Sequence, residues 1–384
     1  MKALFAEEQM DTRFAAVGRR FEQYLESDGY SGQLAVWWRG KPVVDIAGGP
    51  ELTPDSVTGV FSVSKGVAAL VIATLIDDGR LELDAPVARY WPEFSVAGKS
   101  AITVRQLLSH QAGLPGIEGK FEVDLLLESG TGAAALAQQA PLWVPGQAFG
   151  YHALTIGILM EELVRRVTGA TLQEVYELEI RAPRGADFYL GLPESSDDRY
   201  VPVGEARLTP EQLREVADLG KAPADGISAL ALGSFGSGSE STAGAVGANN
   251  ARMRRIGASA VGGVGSARGL ARLFSDALPG ASNPIARPET FALMSQLHSW
   301  GLDRVLHIQN AFGVIFMLPH PRMPYAGHRA FGHDGAGGAL AFADPESEMS
   351  FGYIPAPMQY PGGADRRAIE LARLARDCAM GYSS

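Results

Sequence analysis

Ser62-Val63-Ser64-Lys65-Gly66-Val67-Ala68-Ala69-Leu70-Val71-Ile72-Ala73-Thr74-Leu75-Ile76 is the stretch whose reading decides the fold. If the run is helical, a lysine three residues after a serine stands one turn further along on the same face, so Ser62 and Lys65 point at the same space. A serine hydroxyl is a poor nucleophile until a nearby base takes its proton, and burial favours the neutral form of a lysine that could be that base. Val67 to Ile76 is apolar on nearly all sides, which marks a helix inside a large domain, and Asp77-Asp78-Gly79 supplies a stop. A lysine at the head of such a helix needs a reason. The plainer alternative is an interfacial lysine whose stem packs while its amine reaches water.

The rest of the composition limits what this pair can belong to. At 384 residues there is room for two or three domains, or for one large core with an insertion. A hydrophobic content of 46% with 20% charged residues is ordinary for a soluble globular protein. The formal charge of -10 argues against nucleic acid or an anionic membrane as partner, since both demand basic surface. The lone Cys378 excludes an intramolecular disulfide and a Cys-rich metal site. Met1 to Glu8 turns acidic before an apolar signal region forms, and no apolar run approaches the roughly 18 residues that span a bilayer, so the expected location is cytoplasmic.

Outward from the tetrad, residues 9 to 28 predict an amphipathic helix, with Phe14, Val17, Phe21 and Leu25 at helical spacing. Gln33 to Trp38 and Val43 to Ala47 predict a hairpin across Arg39-Gly40-Lys41-Pro42. Thr103 to Leu108 and Leu154 to Val167 predict helices, the second closed by Gly169. Residues 222 to 266, rich in Gly, Ala and Ser, read either as a surface excursion or as a loop covering a site. Ala267 to Leu278 and Asp365 to Met380 predict helices. Ala311 to Leu318, Gly338 to Ala343 and Met349 to Ile354 predict strands. Strands near both ends with helices between them imply an antiparallel sheet built from the two termini around an inserted helical part.

A Ser-Lys pair still needs oxyanion donors and a proton route. Phe149-Gly150-Tyr151-His152-Ala153 enters the helix at Leu154, and a phenol beside an ammonium can have its pKa lowered enough to shuttle protons; the alternative for Tyr151 is packing. Phe331-Gly332-His333-Asp334-Gly335-Ala336-Gly337-Gly338 leads into a strand, where glycines permit close approach of a substrate to backbone N–H groups; otherwise it is a Gly-rich turn. No Gly-x-Ser-x-Gly elbow occurs, and no metal-ligand spacing is found among the seven histidines, so neither a metal nor another cofactor is implied. Gly98-Lys99-Ser100 resembles the end of a P-loop, but Glu93 stands where its first glycine is required.

Taken together, Ser62-x-x-Lys65, Tyr151-His152-Ala153 and His333-Asp334-Gly335 resemble the three successive motifs of class C β-lactamase-like serine hydrolases, most closely the family VIII carboxylesterases. The connecting phrases Leu83 to Val87, Thr103 to Pro115, Trp143 to Gly146 and Ser266 to Arg272 are similar too, and the resemblance runs from about residue 15 to the end. It implies an α+β, penicillin-binding-protein-like fold. Residues 1–60 and 300–384 would form an α/β domain, 61–299 a mostly helical one, and the active site would lie between them. It implies a nucleophile at Ser62, a base at Lys65, a proton shuttle at Tyr151, and an oxyanion hole from the backbone N–H groups of Ser62 and of Ala336 on the following strand. His333, Asp334, Gly335 and His152 are further candidates for contacting substrate.

Two departures bear on the substrate. Where the β-lactamase pattern has Tyr-x-Asn and Lys-Thr-Gly, this chain has Ala153 and His333-Asp334-Gly335, so the amide and ammonium that would hold a β-lactam are absent. An uncharged short-chain ester, a small-molecule partner, fits better. β-Lactam or amide hydrolysis and acyl transfer are the alternatives within the family, and a non-enzymatic binding protein on the same scaffold is the alternative outside it.

Overall fold

The computed structural model describes residues 5–28, 30–118, 124–219, 226–232, 247–360 and 362–382. Strand β1 (Phe5–Met10) is followed by helix α1 (Ala15–Asp28), the hairpin β2 (Ser31–Trp38) and β3 (Lys41–Gly48), the short β4 (Thr58–Gly59), and helix α2 (Val63–Asp77). Helix α3 (Thr155–Thr168) precedes the short strands β5 (Phe188–Tyr189) and β6 (Val264–Gly265), then helix α4 (Ala267–Ser275), β7 (Ser299–Leu302) and β8 (Gln309–Phe312). The chain closes through β9 (Phe331–Asp334), β10 (Leu340–Asp344), β11 (Met349–Ala356) and helix α5 (Arg366–Met380).

The main sheet has the order β1-β3-β2-β11-β10-β9, every pairing antiparallel, so strands from both ends of the chain share it. Alternation along the strands sends successive side chains to opposite faces. Gln33 and Gly352 face α4: the Gln33 side-chain oxygen accepts the Ala267 N–H at 3.0 Å, and a Cβ on Gly352 would lie 2.3 Å from the Ala267 carbonyl. Gly32 faces the other way, toward Phe21 of α1. The predicted hairpin forms with its turn at Arg39-Gly40, both at positive φ. Helix α3 ends as expected at Gly169, which takes φ 79° and whose N–H returns to Arg165.

Three local readings change. β1 was not anticipated, because Glu7-Glu8 gives it a polar pattern; it lies at the sheet edge, paired with β3 alone and with a register shift between Glu7 and Gln9, where charged residues are usual. The predicted strand Ala311 to Leu318 is cut short at Phe312. Val314, Ile315 and Phe316 are fully buried, but Ile315 takes φ 65° and the run is a buried turn, apolar without strand periodicity. Within 222–266, short helices cover Ile227–Leu232 and Ala251–Ile256, while 222–225 and 233–246 lie outside the described residues.

Candidate active site

Ser62 stands at the head of α2, delivered by a strained turn. β4 ends at Gly59, and Phe61 takes φ 49°, a left-handed conformation costly for a bulky residue. Ser64 secures that turn: its hydroxyl donates to the Phe61 carbonyl at 2.5 Å and accepts the Gly263 N–H at 2.9 Å. Helix α2 is buried along nearly its whole length, and Lys65 is 0% exposed. The Lys65 amine lies 2.9 Å from Ser62 Oγ and donates to the Ala260 carbonyl at 2.8 Å. Burial pushes its pKa down to about 7, opposed by the charge of Asp334, so the amine can be neutral near physiological pH and available to take the Ser62 proton.

Tyr151 lies in the turn before α3, buried, with its ring stacked on Phe312 (centroids 5.7 Å apart, 8° between planes). Lys65 Nζ is 5.1 Å from the Tyr151 centroid, and the phenol is hydrogen-bonded to Ser62. Its pKa is raised, first by burial and further by the charges of Asp334 and Asp303, with the Ser62 hydrogen bond opposing. This reverses the lowering anticipated from a neighbouring ammonium. Desolvation of the phenol dominates, and the same burial that holds Tyr151 protonated weakens the ammonium character of Lys65. Tyr151 is therefore held as a neutral O–H group, while Lys65 is the group whose burial favours the uncharged, proton-accepting form.

The third segment reaches the same space from the sheet. His333 on β9 faces α2, where a Cβ on Gly66 would lie 3.1 Å from His333 Cβ, and its ring is 6.1 Å from that of Tyr151. His333 Nδ1–H donates to the Asp334 carbonyl at 2.7 Å, and Nε2 is buried with no partner among the described residues. Gly335 abuts the turn before Ser62, since a Cβ there would lie 2.2 Å from the Val60 carbonyl. Ala336 is exposed and sits in the otherwise buried turn between β9 and β10, not on a strand. Among the described residues neither the Ser62 nor the Ala336 N–H donates to a carbonyl.

The β-lactamase family matches residues 17–375. The chain belongs to the β-lactamase family. It is 34% identical over 366 residues to Esterase/beta-lactamase LipL of Mycobacterium tuberculosis, covering 90% of this chain and 81% of LipL. Among solved structures it is similar to EstA from Arthrobacter nitroguajacolicus Rue61a, with TM-score 0.90 and 44% identity over 99% of this chain and 100% of that one. A family VIII carboxylesterase superposes with TM-score 0.86 and 28% identity, covering 98% and 100%. The protein is thus a serine hydrolase of the esterase/β-lactamase superfamily.

Two residues singled out in this β-lactamase-family chain take other places. His152 has no ring nitrogen left for substrate: Nδ1–H donates to Gly150 O at 2.7 Å and Nε2 accepts the Leu114 N–H at 3.0 Å. Asp334 falls on the opposite sheet face from His333, aligned with Leu340, and its carboxylate accepts the Ala364 N–H at 2.9 Å. Three contributors were missed. Ala260, which holds the lysine by its backbone, has no side-chain signal. Ser64 was visible inside the tetrad without a role. Asp303, whose carboxylate accepts the Tyr151 N–H, lies far from every motif in sequence.

Proposed function

We propose that the protein is a cofactor-free carboxylesterase acting on short-chain acyl esters through an acyl-Ser62 intermediate. Lys65 takes the Ser62 proton as Oγ attacks the ester carbonyl, forming a tetrahedral oxyanion held by the N–H groups of Ser62 and Ala336. The positive end of α2 adds favourable potential there. Collapse breaks the ester C–O bond, and the proton passes from the Lys65 ammonium through the Tyr151 hydroxyl to the departing alcohol. Water then attacks the acyl-enzyme with Lys65 again as base, releasing the acid and restoring Ser62. The observation that carries this reading is the fully buried Lys65 amine 2.9 Å from Ser62 Oγ. Support for an ester over a β-lactam comes from Ala153 and His333 standing where the β-lactamase pattern has an asparagine and a lysine, and from the family VIII carboxylesterase among the structural neighbours.

A second reading, β-lactam hydrolysis, is favoured by the name of LipL, which joins both activities. The test sets p-nitrophenyl butyrate against a chromogenic cephalosporin, with a fluorophosphonate label located by mass spectrometry. Wild type is expected to carry the label on Ser62 and to hydrolyse the ester, and Ser62→Ala to lose both. A label elsewhere, or equal ester turnover by the Ala variant, ends the proposal. Faster turnover of cephalosporin than of ester reassigns the substrate.

A further inference from the structure

We infer that Asp303 and His110 form a clamp that positions Tyr151 for proton transfer, an inference that rests on the role given to Tyr151 above. Residues 150–152 belong to neither helix nor strand, yet all three successive amides are engaged by these two residues. The Gly150 N–H donates to the His110 carbonyl at 3.2 Å, the Tyr151 N–H to both Asp303 oxygens at 3.0 and 3.2 Å, and the His152 N–H to His110 Nδ1 at 3.1 Å. The partners come from segments 42 and 152 residues away in sequence.

Asp303 is 0% exposed and lies in the connection between β7 and β8. Its carboxylate also accepts the N–H groups of Val305 at 2.8 Å and Leu306 at 3.0 Å, and Asn310 Nδ2 at 3.0 Å. No Lys or Arg pairs with it among the described residues. A buried carboxylate without a cation is expensive unless its oxygens are saturated by donors. The contacts to 305, 306 and 310 serve the hairpin, whereas the forked contact to Tyr151 ties the hairpin to the site. The same hairpin supplies Phe312, on which the Tyr151 ring stacks. One element therefore holds both the backbone and the ring of Tyr151, and the Asp303 charge also opposes loss of the phenol proton.

His110 completes the hold from the other side. It takes φ 64°, a conformation that costs energy for a residue with a side chain and that persists where its surroundings enforce it. Its ring is fully buried, 5.2 Å from the Tyr151 ring and edge-on to Phe312 at 4.6 Å. Burial and the neighbouring His152, His333 and Lys65 hold it neutral, which suits Nδ1 as acceptor for the His152 amide.

Ester turnover by Asp303→Asn, His110→Ala, His110→Asn, Tyr151→Phe and the Asp303→Asn/Tyr151→Phe double variant tests the clamp. Asp303→Asn is expected to lower kcat about tenfold or more while KM stays within about threefold, because misplacing a reacting group costs rate more than binding. His110→Asn is expected to retain most activity, since Asn tolerates positive φ and offers an acceptor oxygen, whereas His110→Ala loses it. If Asp303 acts through Tyr151, adding Asp303→Asn to Tyr151→Phe costs less than about threefold more. The clamp is overturned if Asp303→Asn turns over like wild type, if its loss is undiminished in the Tyr151→Phe background, or if His110→Asn is as impaired as His110→Ala. Should Asp303→Asn melt below the assay temperature, the two His110 variants decide alone. Wild-type turnover by Tyr151→Phe would instead overturn the role of Tyr151 itself.

Discussion

Among the described residues two lysines, Lys65 and Lys99, are fully buried, and comparing them isolates what sets one of them apart. Lys99 donates to the Gln139 carbonyl at 2.5 Å, lies 5.3 Å from the Phe94 centroid, and has its pKa lowered by burial. Among the described residues no hydroxyl is hydrogen-bonded to its amine as Ser62 Oγ is to that of Lys65, so the contacts of the Gly98-Lys99-Ser100 segment are those of packing. In the proposed mechanism the neutral amine of Lys65 is the working form, and burial pushes its pKa down to about 7. Esterase kcat/KM should therefore rise with pH through a single limb centred near 7 and level off above it; a profile flat from pH 5.5 to 8.5 would contradict Lys65 as base. Lys65→Arg keeps a permanent charge in the same space and is expected to cost at least about a hundredfold in kcat/KM. The three-residue spacing made Ser62 and Lys65 legible in the sequence. The partner that holds the amine, Ala260, offers only its carbonyl, and backbone partners leave no mark on residue type.

Helix α2 and the turn before it show why the tetrad needs its second serine. Both polar functions of Ser64 are used, by the Phe61 carbonyl and the Gly263 N–H, across the joint between β4 and β6. Ser64→Ala leaves the buried Gly263 N–H unmet and takes from the Phe61 carbonyl one of its two donors, the other being the Ser64 N–H at 2.9 Å, and should lower unfolding free energy by about 1–3 kcal/mol in urea titration. Relaxation of Phe61 would move Ser62, so kcat should fall with it. A variant of unchanged midpoint and kcat would show that the turn is held by other contacts. The apolar helix was legible because its all-round apolar run matched its burial on every side, and the first hairpin and the terminal helix α5 because their periodicity matched theirs. β1 was hidden by its acidic residues at the sheet edge, and 313–318 mimicked a strand because a buried turn is as apolar as one. Asp303 was invisible for a different reason: a lone aspartate between two short strands reads as a turn residue, and only the fold brings it to Tyr151.

At the scale of the whole molecule, the sheet formed by both termini packs its site-facing side against α2 and α4, and the surrounding interior lowers the pKa of two histidines, His152 and His110. His152 is fully buried, its pKa lowered to about 4 mainly by desolvation, and His110 is lowered well below its ordinary value of 6.5 for the same first reason. Above pH 6.5 both residues are neutral in the folded and unfolded chains and contribute no pH dependence. Below 6.5 the unfolded chain binds protons that the folded one refuses, so stability falls as pH drops from about 6.5 toward about 4. Each pKa unit is worth about 1.4 kcal/mol, so His152 alone accounts for a loss on the order of 3 kcal/mol across that window. Carboxylates remain largely ionised above pH 5, so urea midpoints between pH 6.5 and 5 isolate the histidines. The midpoint should decline over that range, and His152→Asn, which cannot titrate, should show a shallower decline even if its midpoint at pH 7 is lower. Parallel slopes for the two proteins would mean that the acid sensitivity of this fold arises elsewhere than at the histidine beside Tyr151.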